Sequence, residues 1–428
     1  MKVDDVFGLL APERTVKPGL ERVRLLLSRL GNPEGRFPSI QVGGTNGKGS
    51  VVAFLESVLW AGGVKVGAYT SPDLGDPTER VRVGKKPIPR ARLSELVREA
   101  ILPLDELLSG PGRPTFFEAM TAAAFAHFAR EGVELALVEV GLGGRYDATS
   151  SLAWPFLTLV TSVEEDHLDF FGPGLSQAAW EKAGLARQGV PFITAERKPE
   201  VLATFAQECR DVGAALVLVD PDDIQLVELS WERAVWRSRT DPLGLGSFET
   251  GLIGAYQAAN LALVLGALAE LVGGFPLGQE AIREGLACAS WPGRFEVISR
   301  RPHIVLDGAH NPSGARALVE ALARLPAPRG RKRLVFGVLR DKLVHRMAES
   351  LFPGFDEVVL VTSQSPRALP PEAVAHQAKR LGVNWRIGGK VEETVKELAA
   401  DLMEDDLLVV CGSLTVVGEA RRALVGAS

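Results

Sequence analysis

Between a β-branched run and an apolar helical pattern lies Gly43-Gly44-Thr45-Asn46-Gly47-Lys48-Gly49-Ser50. Glycines let backbone amides converge on phosphate oxygens, Lys48 adds a point charge, and the N-terminus of the following helix adds its dipole. That chemistry is triphosphate binding, with ATP the expected nucleotide. The segment departs from the common phosphate-loop form: Val42 stands where that form has its first glycine, and Gly49 separates Lys48 from Ser50. A glycine-rich turn without a ligand is the plain structural alternative.

Acids and imidazoles recur where other apolar runs end. Glu139 closes a run containing Leu135, Leu137 and Val138, a place where an isolated acid is costly to bury unless it is paired or metal-bound. Arg145 is the structural partner within reach in sequence. Mg2+ is the functional one, because a nucleotide site needs it and it takes few protein ligands beside phosphate and water. Glu164-Glu165-Asp166-His167 brings an imidazole to the same edge. Asp307 and His310 follow a later run, in Asp307-Gly308-Ala309-His310-Asn311-Pro312, where Asn-Pro also reads as a helix start. Asn260, set in a helical run of Leu, Ala and Val, must find partners for its amide. Lys182, next to Glu181, reads on pattern alone as a solvated surface lysine, and Phe116 and Phe117 as core at a helix edge.

These residues require βα units that bring strand ends to one edge. Residues 39–42, 64–69, 135–140 and 156–163 read as strands; residues 50–61, 92–108 and 115–130 read as helices, and 71–89 as a loop. Residues 224–250 alternate as antiparallel strands with one wet face do, and an apolar helix follows over 254–273. A Pro-Gly turn at residues 291–295 separates this region from a second βα series with strands at 304–306, 333–336, 357–361 and 407–411. The expected fold is α/β: a mostly parallel-sheet ATPase domain over 1–292, with a smaller Rossmann-like α/β domain over 293–428.

The chain of 428 residues has 46% hydrophobic and 24% charged residues, and 48 basic against 53 acidic side chains give a formal charge of -5. That is a folded chain of two or three domains, and no block of either sign suits nucleic acid or a membrane surface. The longest apolar stretch, residues 261–269, is short of the ~18 residues a membrane span requires. The N-terminus lacks a signal-peptide pattern. Cys209, Cys288 and Cys411 read as reduced core residues. The expected compartment is the cytoplasm.

The loop resembles that of the ATP-dependent amide ligases comprising the muramyl ligases and the folylpolyglutamate and dihydrofolate synthases, the Mur ligase family. Longer blocks resemble the folate branch: residues 17–22, Ser71-Pro72-Asp73-Leu74 with Asp73 where His is usual, 79–84, 115–119, 138–148, 292–296, 306–312 and 412–414. The resemblance implies Mg2+ at Ser71, Glu139 and His167, and a carbamylated Lys182. It implies Arg294 on phosphate, Asp307 toward the ribose and Asn260 on the base, with His310 and the Asp341–Lys342 pair near the acyl phosphate and glutamate. The pterin acid is expected near Val16, Lys17 and Pro18, near Thr115, Phe116, Phe117 and Glu118, and near Tyr146, Asp147 and Ala148. The implied reaction joins L-glutamate to dihydropteroate or to (tetrahydro)folate polyglutamates through an acyl phosphate, in a monomer serving folate biosynthesis. A muramyl-type ligase acting on a UDP-sugar peptide, and a nucleotide switch without ligase activity, are the alternatives.

Overall fold

The computed structural model describes residues 10, 19–102, 112–152, 155–164 and 174–426. The strongest apolar runs form the centre of a sheet. β1 (Ser39–Gly43) lies between β5 (Leu135–Glu139) and β6 (Pro155–Val160), every residue of β1 and β5 being buried. β2 (Val66–Tyr69), β7 (Pro191–Thr194) and β8 (Ala215–Leu218) extend the parallel array, and β3 (Val81–Val83) and β4 (Lys86–Pro87) add an antiparallel edge. The resulting eight-stranded order is β4-β3-β2-β5-β1-β6-β7-β8. Both faces are covered, as continuous apolar strands require. The helix Lys48–Ala61 is buried from Gly49 to Leu59, and the apolar helix Gln257–Leu271 packs beside it in the same core.

The alternating segment forms the antiparallel sheet β11-β10-β9, from β9 (Ile224–Leu229), β10 (Ala234–Ser238) and β11 (Ser247–Thr250). The remaining strands make a second sheet, β12-β13-β17-β14-β15-β16: β12 (Glu296–Arg300), β13 (His303–Leu306), β14 (Lys332–Phe336), β15 (Glu357–Thr362), β16 (Trp385–Lys390) and β17 (Leu407–Cys411). Only β12 runs antiparallel to its neighbour. Trp231, in the turn between β9 and β10, reaches this second core. Its ring stacks on His303 at 4.2 Å and its Nε1–H donates to Pro326 O at 3.0 Å.

Several expectations are corrected. Residues 71–89 contain β3 and β4, because Arg82 on β3 is drawn inward to Glu56 at 2.8 Å, to Thr70 Oγ1 at 3.0 Å and over the Trp291 ring at 4.9 Å. The helix expected over 92–108 spans Arg90–Ile101 within the described residues. The expected strands omit β7, β8, β12 and β16; β8 and β16 are edge strands whose side chains are partly exposed. Cys288 is exposed, not core, whereas Cys209 and Cys411 are buried. No helix among the described residues is long and apolar enough to cross a membrane.

Parallel pairing sets the site. Val42 lies level with Glu139 and Gly43 level with Val160, so the glycine-rich loop, Glu139 and the segment after β6 leave the sheet together at its carboxyl edge. A crevice at this edge is where doubly wound sheets hold ligands.

Candidate active site

The carboxyl edges of the two large sheets face each other across a cavity of ≈ 1390 Å³. It is lined by the whole loop from Thr45 to Ser50, by Ser71 and Glu139, by Asn260, Arg294, Asp307 and His310, and by Thr115, Phe117, Glu118, Tyr146, Asp147 and Ala148. Val16, Lys17, Pro18 and His167 lie outside the described residues. The structure therefore gathers most of the expected residues around one space.

The loop is built to stay narrow. Gly47 caps the helix with φ +94°, a left-handed conformation that favours glycine, and a Cβ there would meet Asn260 Oδ1 at 2.3 Å. Gly49 lies beneath Trp291, whose Nε1 would be 2.7 Å from an added Cβ. That crowding gives a physical reason for the glycine separating Lys48 from Ser50. Thr45 N–H donates to Ser162 O at 2.6 Å, and Glu164 N–H donates to Thr45 Oγ1 at 3.0 Å, tying the loop to the end of β6. Lys48 Nζ donates to the carbonyls of Gly44 and Thr45 at 3.0 and 3.1 Å, so the ammonium sits over its own loop. Asn260 Nδ2 donates to Gln257 Oε1 at 2.7 Å, which supplies the amide partner the sequence demanded.

Glu139 is 5% exposed, and its carboxylate accepts from Ser71 N–H at 3.2 Å. Burial pushes its pKa above the ordinary carboxylate range, against the opposing pull of Lys48, the Ser71 amide, Arg294 and Arg82. Arg145 is not its partner: it pairs with Glu208 at 2.6 Å and lies 3.9 Å over the Trp180 ring. A buried anionic oxygen beside a phosphate loop suits a hard divalent cation. Among the described residues no three acidic, His or Cys side chains converge; of the residues expected at the metal, Ser71 and Glu139 meet at the cavity. Lys182 is 4% exposed, correcting the solvated reading; it packs in a helix whose Glu181, rather than Lys182 itself, lines the cavity.

Across the cavity, Asp307 is buried and accepts from Phe295 N–H and Ala309 N–H, both at 2.8 Å. Burial raises its pKa and Arg294 opposes the rise. His310 Nδ1 lies 2.8 Å from Gly308 O, a bond that needs the proton on Nδ1. Asp341 pairs with Arg367, and Lys342 Nζ lies 3.7 Å away. The two halves also touch directly: Asn46 Nδ2 donates to Ser313 Oγ at 2.8 Å, and Asn311 Nδ2 donates to Asn46 Oδ1 at 3.0 Å.

The residues expected at the acceptor divide. Phe117 faces the cavity, stacked on Tyr69 at 5.9 Å, while Phe116 is buried beneath the Arg80 guanidinium at 5.1 Å and does not line it. Thr115 and Glu118 form a capping box, with Arg22 Nε donating to Glu118 Oε1 at 2.9 Å; the Thr-x-x-Glu spacing was its signal in sequence. Asp147 caps the turn Ala148–Ser151 and also accepts from Leu142 N–H at 2.9 Å. Tyr146 is half exposed beside Trp180. Two features had no sequence signal. Asp73 holds Arg80 at 2.5 Å, and Lys198 bonds Glu164 at 3.0 Å, which engages an acid left without a role.

Comparison with known proteins places this cavity in context. Residues 293–414 match the family model described as the Mur ligase, glutamate ligase domain. The chain is 34% identical over 416 residues to the dihydrofolate synthase/folylpolyglutamate synthase of Bacillus subtilis, covering 96% of this chain and 95% of that protein. It superposes on Escherichia coli FolC in complex with DHPP and ADP with a TM-score of 0.85 at 31% identity, over 99% of this chain and 98% of that one. The bifunctional folylpolyglutamate synthase/dihydrofolate synthase of Yersinia pestis, complexed with AMPPNP and Mn ion, gives 0.81 at 31% identity over 96% and 95%.

Proposed function

Because the chain belongs to the family of dihydrofolate synthases and folylpolyglutamate synthases, ATP-dependent glutamate ligases of folate metabolism, we propose that it performs both glutamate additions: to dihydropteroate, and to the growing tail of tetrahydrofolate. The observation that carries this reading is the single cavity joining a phosphate loop, a buried acid and the aromatic wall of Phe117. The relatives named for both activities support it.

A carboxylate cannot expel oxide, so the acceptor carboxylate first attacks the γ-phosphorus of ATP, releasing ADP and leaving an acyl phosphate. The loop amides and Lys48 hold the phosphates, Arg294 adds charge from the second domain, Asp307 faces the ribose, and Asn260 faces the base. Phe117 and Tyr146 hold the pterin and aryl rings, with Ala148 and Asp147 shaping the turn beneath them. Ser71, Glu139 and His167 would hold Mg2+, whose chemistry when bound is to neutralise charge on the transferring phosphoryl group. Lys182, buried beside this region, is the lysine we assign to carbamylation. The glutamate nitrogen then attacks the acyl carbon near His310 and Lys342, phosphate departs, and the amine loses its proton. Contacts such as Asn46 to Ser313 close the two halves and keep water from the anhydride.

Incubation with ATP, glutamate and each acceptor, followed by product analysis, tests the reading. Dihydropteroate yields its monoglutamate and tetrahydrofolate gains further glutamates. ADP release only with a UDP-muramoyl substrate, or equally without glutamate, contradicts it.

A further inference from the structure

The loop after β2 is anchored to the ATPase half at two points. Ser71 N–H donates to Glu139 Oε2 at 3.2 Å, and Leu74 N–H donates to Glu79 Oε2 at 2.8 Å. The carbonyl of Leu74 faces the other half of the molecule, where it accepts from Arg422 Nη1 at 2.9 Å. Gly418, on the same helix as Arg422 (Leu414–Val425), is buried against that carbonyl: a Cβ added to Gly418 would stand 1.8 Å from Leu74 O and 2.7 Å from its carbon. Glycine inside a helix is less favourable than alanine, so its place here needs a reason. Here the neighbour is backbone, which cannot swing aside as a side-chain end does. Leu74 Cδ2 would also lie 3.4 Å from a Cβ on Gly293, the residue before Arg294. One short loop thus joins Glu139 at one end to the helix of the second domain at the other.

We propose that Leu74, Gly418 and Arg422 form a latch that holds the cleft shut while the acyl phosphate exists. They are positioning residues and touch no reacting atom; the inference rests on the acyl-phosphate reading above. With the latch engaged, the glutamate nitrogen bonds to the acyl carbon, the carbon–oxygen bond to phosphate breaks, and phosphate leaves. With it disengaged, water attacks the same carbon, returning the acceptor carboxylate and inorganic phosphate. ATP is then spent without an amide forming.

The test measures ADP released and amide formed in the same reaction, for wild type, Gly418→Ala, Arg422→Ala and Arg422→Lys, with thermal melting as the folding control. The wild type gives near one ADP per amide. Gly418→Ala raises that ratio about threefold or more, as expected when an anhydride meets water. Arg422→Ala raises it less, and Arg422→Lys, which retains a donor toward Leu74 O, restores coupling. If Gly418→Ala fails to fold, the Arg422 pair decides in the same assay. Folded variants that slow turnover yet keep the wild-type ratio overturn the latch, because a merely structural role lowers rate without changing coupling. A wild type that forms no amide overturns the proposed function, and the latch with it.

Discussion

Lys48→Ala lowers kcat for glutamate-dependent ADP release by about 10²–10³, the loss typical of removing one group aimed at charge developing in a transition state. Lys48 follows the helix-capping Gly47, and its Nζ rests on the carbonyls of Gly44 and Thr45. An arriving triphosphate offers stronger, anionic acceptors at the same mouth of the loop. The aromatic wall is built from other residues, with Phe117 stacked on Tyr69 and packed against Gly141. The expected pattern is therefore a fall in kcat with little change in KM for the pterin acid, read by steady-state kinetics with each substrate varied. Wild-type turnover in the variant would remove Lys48 from the phosphate site.

Glu139→Gln produces the second large loss, about 10²–10³ in kcat/KM at fixed Mg2+, partly recovered at high Mg2+. The amide keeps the shape and an oxygen able to accept from Ser71 N–H, so the lost charge is the main change. Stability moves the other way. Burial raises the Glu139 pKa in the folded chain, so the folded state holds this proton more tightly than the unfolded state does. Stability then falls as pH rises through the interval between the unfolded and folded values, and it stays lower above it. In metal-free protein at neutral pH, Glu139→Gln should melt at a higher temperature than wild type while losing activity. A variant that is both less stable and fully active would show that Glu139 serves the fold alone.

Much of this site was legible in the sequence because parallel strands are buried on both faces and read as apolar runs. Whatever polar residue ends such a run must sit at the crevice, which located Gly43–Ser50, Glu139 and Asp307 without coordinates. What remained hidden were choices that periodicity does not make. Phe116 and Phe117 are neighbours about 100° apart on one helix, and only packing decides that Phe117 meets the cavity while Phe116 lies under Arg80. Lys182 is buried on a helix whose alanines pack with Val201, Phe205 and Cys209 of the helix Pro199–Val212, a long-range packing that its own charged sequence does not reveal. Arg145 looked like a partner for Glu139 by proximity along the chain, but the chain turns it outward to Trp180 and Glu208. Asp73 acquires a reason only once Arg80 is seen beside it.

The chemistry itself is tested by following oxygen. With the acceptor carboxylate labelled with oxygen-18, a reaction through an acyl phosphate transfers one labelled oxygen to the inorganic phosphate for every amide formed, and this is the predicted result. Phosphate released without label, alongside normal amide formation, would contradict carboxylate activation by the triphosphate and the assignment of the cavity that rests on it.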